Sequence, residues 1–394
     1  MQSHPTSTVL LFSGKGGVGK TSLSAATALG LARAGQRTLV VSTDPAHSLG
    51  DVFGTTIGAS ITALGENLWG KELSAREALE GSWDKIATYI QTFLASQGVN
   101  SLIAAEIANV PGIMELLSLL EIVRQAPSYD TVILDCAPTG ATTSLLAFPD
   151  AARWYMDRFF RAERALIKAV KPLAERVVGV PLPEDDVFGQ AEALYHDIRA
   201  ANDILQDPRR SRIRLVATPD AVVLAETRRA HAMFSLYNLT VDAVFLNRAY
   251  PADSAAAHPL LGRWVTAQQQ HTAQAVTDFA PIPVITIPFQ SAEPQGPAAL
   301  AALTDSLGDF GRLSRPHEHE TAQRITPTPD GYELRLRLPV EDRKAVRLWV
   351  DAGDLVFMYH AVNKRVALPA ALAECRLDRA DWQNPWFCVK FVRK

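Results

Sequence analysis

The sequence predicts an α/β fold, a mostly parallel sheet flanked by helices with an α-helical subdomain, followed by a small all-β sandwich. Three observations carry this. Short apolar runs of strand-forming residues recur between helical patterns and end in polar Gly, Asp or Asn turns. A glycine-rich loop joins the first such run to an Ala/Leu-rich helical segment. From Tyr332 onward the hydrophobic period changes to two.

The first strand, Thr8 to Phe12, passes into Ser13-Gly-Lys-Gly-Gly-Val-Gly-Lys-Thr21, and residues 22–34 have helical spacing. The loop fits G-x-x-x-x-G-K-[ST] in its strand-loop-helix context, the phosphate-binding loop of a P-loop NTPase. Gripping a polyphosphate requires backbone N–H groups at close range, which glycines permit and a helix N-terminus reinforces. Gly14, Lys15, Gly16, Gly17, Val18, Gly19, Lys20, Thr21 and Ser22 are therefore the expected binding segment for ATP. Lys20 can reach the β- and γ-phosphates, and the Thr21 hydroxyl can ligate Mg²⁺.

A second buried-looking strand follows Gly35 and ends in Ser42-Thr-Asp44-Pro-Ala-His-Ser48. In open α/β sheets, ligands sit at the carboxyl ends of strands. Asp44 there could orient or deprotonate the water attacking a γ-phosphate, or else cap its own turn, Asp-Pro being a common turn former. A third strand, Tyr129 to Asp135, ends in Cys136-Ala-Pro-Thr-Gly140. Asp135 is the expected Mg²⁺ carboxylate, with Asp44 a further candidate for the ion, and residues 137–142 are expected to sense the γ-phosphate. Strands near Arg214, at Val241 to Leu246 and at Val284 to Ile287 complete the expected sheet.

Gly14-Lys15-Gly-Gly-Val-Gly-Lys-Thr21, Thr43-Asp-Pro-Ala-His-Ser48 and Asp135-Cys-Ala-Pro-Thr-Gly140 together resemble the arsenite-pump and tail-anchored-protein-targeting ATPases, a deviant P-loop family. The resemblance covers roughly residues 8–305 and implies a nucleotide-gated homodimer. Lys15, Lys20 and Asp44 are its catalytic residues by implication, Lys15 reaching across the interface to the partner's nucleotide. It further implies that Asn247 and the Pro288-Phe289 loop hold the adenine. This chain departs from the family at Cys136, where threonine is usual, and at residues 251–258, which lack the zinc-binding cysteine pair.

Between and after the first two switches lie helical insertions, expected at about 68–127 and 151–206. Trp83, Ile86, Ile90 and Phe93 form one apolar stripe; Tyr155, Phe159, Leu166, Val170 and Leu173 form another. In targeting relatives such helices make a groove for a hydrophobic protein client. The alternative, which an amphipathic helix favours, is that the stripes are faces buried against the sheet or one another. The domain organisation follows: an ATPase domain over 1–308, a linker over 309–325 and a sandwich over 326–394.

Tyr332-Glu-Leu-Arg-Leu-Arg-Leu-Pro339 alternates apolar and charged residues, and further short runs at 346–350, 355–359, 364–368 and 386–392 continue as strands. This module resembles the α-crystallin domain of small heat-shock proteins, which implies a client-shielding or dimer-bracing role.

Composition excludes other classes. A net charge of −3 without a basic run argues against nucleic-acid binding. Three scattered cysteines frame neither a disulfide scaffold nor a thiolate site for trivalent arsenic, which makes arsenite efflux the weakest function. Charged residues interrupt every long apolar stretch and no leader pattern opens the chain, so a cytoplasmic protein without a membrane span is expected. The expected function is a Mg-ATP-dependent homodimeric ATPase that opens and closes a hydrophobic client surface; the alternative is a nucleotide-switched interaction scaffold.

Overall fold

The computed structural model describes residues 7–44, 48–73, 120–122, 124–136, 185–256, 259–308, 323–338, 340, 343–351, 354–359, 362–368, 372, 375–383 and 386–393. The proposed apolar stripes at 83–93 and 155–173 and the sensing loop at 137–142 lie outside them.

An eight-stranded sheet has the order β3-β4-β2-β5-β1-β6-β7-β8. Its strands are β1 (Thr8–Gly14), β2 (Thr38–Ser42), β3 (Thr62–Gly65), β4 (Leu68–Glu72), β5 (Thr131–Asp135), β6 (Ser211–Ala217), β7 (Val241–Ala249) and β8 (Val284–Pro288). Every neighbouring pair is parallel except β3 with β4. The continuous apolar runs are explained by burial on both faces, as parallel strands require. One face packs Leu10, Phe12, Val40 and Ile133 against α1 (Lys20–Arg33), α2 (Ser48–Phe53) and α6 (Gly296–Ser306). The other packs Val9, Leu11, Leu134 and Leu215 against α3 (Asp185–Gln206), α4 (Ala221–Leu236) and α5 (Pro259–Phe279).

Register decides the site. Phe12 lies beside Asp135 in β5 and Ser42 of β2 pairs with the same Asp135, so the three carboxyl ends meet in one place.

Two boundaries need correction. Leu68–Glu72 is a strand hydrogen-bonded to β2, so no helical insertion starts at residue 68. Leu68, Gly70 and Glu72 are buried while Trp69 and Lys71 are half-buried; five residues that include two charges and a glycine are too short for that alternation to stand out. The linker also ends sooner, because β9 (Gln323–Thr328) pairs with β10 (Gly331–Arg337) from Gln323 onward.

The C-terminal module is two antiparallel sheets, β14-β15-β10-β9 and β11-β12-β13. The remaining strands are β11 (Val346–Asp351), β12 (Asp354–Tyr359), β13 (Val362–Ala367), β14 (Cys375–Gln383) and β15 (Trp386–Arg393). Leu334, Leu336, Leu355, Phe357, Phe387, Val389 and Phe391 fill the space between them. β14 escaped the sequence reading because Cys-Arg-Leu-Asp-Arg-Ala-Asp-Trp-Gln is an edge strand, mostly exposed and polar.

Helix α4 joins the two modules. Its Leu236 belongs to the sandwich core, and Gln323 Nε2 donates to the carbonyls of Ser235 (3.4 Å) and Leu236 (2.9 Å), satisfying acceptors left over at the helix end.

Candidate functional site

The loop between β1 and α1 is shaped by close backbone approaches. A Cβ on Gly14 would sit 2.1 Å from the Val216 carbonyl oxygen in β6. Gly19 has φ +94, and a Cβ there would meet Asn247 Nδ2 at 2.3 Å. Gly17, at φ +80, faces open space. Gly19 opens α1 with no side-chain cap among the described residues, so the first amides of the helix remain available to an anion.

Lys20 is buried, 6% exposed, and its Nζ donates to the Lys15 carbonyl across the loop at 3.2 Å. Next to it, Thr21 Oγ1 accepts from Ser48 Oγ at 3.3 Å, which brings the start of α2 to the loop. Asp135 is 1% exposed; its Oδ2 accepts from Ser42 Oγ at 3.4 Å, and its Oδ1 has no hydrogen-bond partner among the described residues. Burial pushes its carboxyl up to about 6, against the opposing pull of a Thr21 hydrogen bond and the Lys20 charge, while Asp44 adds like-charge repulsion. A buried carboxylate with an unpaired oxygen beside a threonine hydroxyl suits a divalent cation. Mg²⁺ takes few protein ligands and leaves the rest to phosphate and water, which agrees with the lack of any cluster of three acidic, His or Cys ligands among the described residues.

Asp44 lies just past β2, half-buried, with its amide donating to Ser42 Oγ at 3.3 Å. Lys20, Thr21, Asp44 and Asp135, four residues separated by up to 115 positions, thus converge. Gly16 and Gly17 are exposed at the loop tip, and Ser22 is half-buried in the first turn of α1. Cys136 is buried, and burial pushes its thiol up to about 12, so it stays protonated at neutral pH.

A cleft of about 380 Å³ runs outward from the loop, lined by Lys15, Gly17, Arg248, Tyr250, Trp264 and Phe289 among others. Phe289 is half exposed and stacks on Tyr250, ring centroids 5.4 Å apart. Pro288 ends β8 just before it. An aromatic wall beside a phosphate cradle suits a nucleotide base. Asn247, by contrast, is 7% exposed and spends an amide hydrogen on the Val18 carbonyl at 2.9 Å. Lys15 Nζ pairs with Glu226 Oε2 of α4 at 3.7 Å, both partly exposed. Sequence reasoning missed Glu226, Arg248 and Tyr250 as site residues; the last two follow Asn247 closely, the one signal that could have drawn attention to them.

The protein-family model described as anion-transporting ATPase matches residues 7–309. The chain belongs to this family. A second model, the HSP20-like domain found in ArsA, matches residues 329–391. The chain is 31% identical to the Aquifex aeolicus protein named "Putative arsenical pump-driving ATPase 1", covering 94% of this chain and 96% of that one. It is 32% identical to a Chlorobaculum tepidum protein named "Putative arsenical pump-driving ATPase", covering 97% and 95% respectively. Identity to the Escherichia coli arsenical pump-driving ATPase is also 32%, over 75% of this chain but only 48% of that longer relative. This member of the anion-transporting ATPase family is therefore similar to the first two relatives along nearly the whole of its length, both modules included. Among its described residues, no helix is long and apolar enough to cross a membrane.

Proposed function

We propose that the chain is a Mg-ATP-dependent ATPase that works as a homodimer and uses nucleotide binding and hydrolysis to open and close a hydrophobic surface for a protein client. The observation that carries the ATPase reading is the buried Asp135 carboxylate, with one oxygen unpaired among the described residues, set against Thr21 and Lys20 at the mouth of the glycine loop. When bound, Mg²⁺ would neutralise charge on the β- and γ-phosphates. The amides at the start of α1 would grip the phosphate chain, Lys20 would exchange the Lys15 carbonyl for phosphate oxygens, and Thr21 and Asp135 would hold the cation. Asp44 takes the water, either orienting it or accepting its proton. Lys15, held on Glu226 within one subunit, leaves that partner to meet the nucleotide of the other.

The family resemblance and the partly exposed Lys15 support the dimer; the resemblance alone supports the client. Arsenite as cargo gains nothing from the cysteines, since all three are buried and no metal-ligand cluster forms among the described residues.

The test is Asp44→Asn in the full chain, assayed for ATP binding and for phosphate release. Retained binding with hydrolysis reduced at least about a hundredfold is expected for loss of a water-positioning carboxylate. Normal turnover removes Asp44 from the mechanism. Sedimentation with Mg-ATP then reads the oligomer: a chain that binds ATP and stays monomeric overturns the dimer.

A further inference from the structure

Strand β7 ends in two consecutive side chains that both reach back to the glycine loop. Asn247 Nδ2 donates to the Val18 carbonyl at 2.9 Å, and Arg248 Nη1 donates to the Gly17 carbonyl at 3.1 Å. The two acceptors are themselves consecutive. Arg248 holds φ +58, left-handed backbone that arginine seldom adopts, where the β7–β8 register shifts between Leu246 and Ala249, and this break in the regular alternation lets successive side chains of the strand reach the same loop.

Peptide geometry gives this pairing a consequence. The Gly17 carbonyl shares its rigid plane with the Val18 N–H, and the Val18 carbonyl shares its plane with the Gly19 N–H. A donor that fixes each carbonyl toward the end of β7 turns the corresponding N–H in the opposite direction. It also neutralises the negative end of a peptide dipole that would otherwise be free to swing toward an anion. Gly19 fits the same arrangement, because a Cβ there would strike the Asn247 amide at 2.3 Å.

We propose that Arg248 is a positioning residue, which with Asn247 clamps the Gly17 and Val18 peptides so that the loop presents its N–H groups to a polyphosphate. This rests on reading the loop as an ATP site. Arg248 acts through the loop backbone and not by ionic contact with the nucleotide, although it also lines the adjoining cleft.

The test uses full-length wild type, Arg248→Ala and Arg248→Lys. Measured quantities are ATP and inorganic tripolyphosphate affinity, adenosine competition, the salt dependence of ATP affinity, and steady-state kinetics. For Arg248→Ala, ATP and tripolyphosphate should both bind about tenfold more weakly, the scale of one lost charge-assisted hydrogen bond. KM should rise with kcat within about twofold, because the clamp acts on binding of the phosphate chain throughout. Adenosine competition and the salt slope should match wild type. Arg248→Lys, which keeps a long donor, should recover most of the affinity; a melting temperature equal to wild type in either variant shows that the fold is intact.

Unchanged ATP affinity in Arg248→Ala overturns the clamp. So does a loss confined to adenosine-containing ligands, which makes Arg248 a base contact, or a flatter salt slope, which makes it a phosphate-binding cation. A fall in kcat at constant KM overturns it too. If wild type itself binds no ATP, the ATP-site reading fails and takes the clamp with it, whereas wild-type binding with an indifferent variant sinks the clamp alone.

Discussion

His231 offers a sharp quantitative test of how the two modules are joined. It lies on α4, 4% exposed, tilted against Phe279 at 5.8 Å, and its Nδ1 has no hydrogen-bond partner among the described residues. Burial, and then the nearby Arg337 charge from β10, lower its proton affinity to a pKa of about 3 from an ordinary 6.5. The folded pKa is depressed, so the folded state stays neutral while the unfolded chain takes up a proton. Stability from this residue is therefore complete above about pH 6.5 and drains away as pH falls toward about 3. At about pH 5 the loss is RT ln(1 + 10^1.5), about 2 kcal/mol, and it depends almost wholly on the unfolded value because the folded group remains uncharged there. His231→Leu keeps an apolar side chain of similar size and removes the titration. Denaturant unfolding at about pH 7.5 and about pH 5, followed by circular dichroism, should show wild type losing about 2 kcal/mol more than the variant over that interval. Other groups titrate alike in both proteins and cancel. A double difference below about 0.5 kcal/mol would refute the claim that His231 is folded away neutral between α4 and the sandwich.

Two further outcomes concern the nucleotide site. Gly19→Ala puts a Cβ 2.3 Å from Asn247 Nδ2 at a backbone φ of +94, so ATP affinity measured by calorimetry should fall at least about tenfold. A variant that binds normally would mean that the loop relaxes freely. Asp135→Asn removes a buried charge whose folded pKa is raised to about 6, so at about pH 7.5 the nucleotide-free variant should be the more stable by about 2–3 kcal/mol, an advantage lost as pH falls from about 6 to about 4. Thermal melts should show Mg-ATP stabilising wild type and not the variant; equal stabilisation of both would take Asp135 out of the metal site.

The glycine loop, the Asp135 strand end and the period-two strand at Tyr332 were legible because each signal is contained within a few neighbouring residues. Spacing and residue type there dictate strand, turn or helix directly. β4 and β14 were not legible. The first is short and interrupted by Gly70 and Lys71, and the second is an edge whose polarity hides its pairing with β15. The partnerships of Lys15 with Glu226, of Arg248 with Gly17 and of Gln323 with the end of α4 were equally hidden, since nothing local in either partner names the other.

By itself, the amino-acid order determined which residues stand as candidates for the chemistry: a glycine-rich loop, Lys20 and Thr21 behind it, and aspartates at strand ends. Tertiary structure decided which of them meet and in what electrostatic setting, because strand order places β5, β2 and β7 around β1 and its helix. Burial then lifts the Asp135 carboxyl and drives the proton from His231, while the left-handed turn at Arg248 sets it and Asn247 onto the loop, effects that arise from surroundings assembled across the chain.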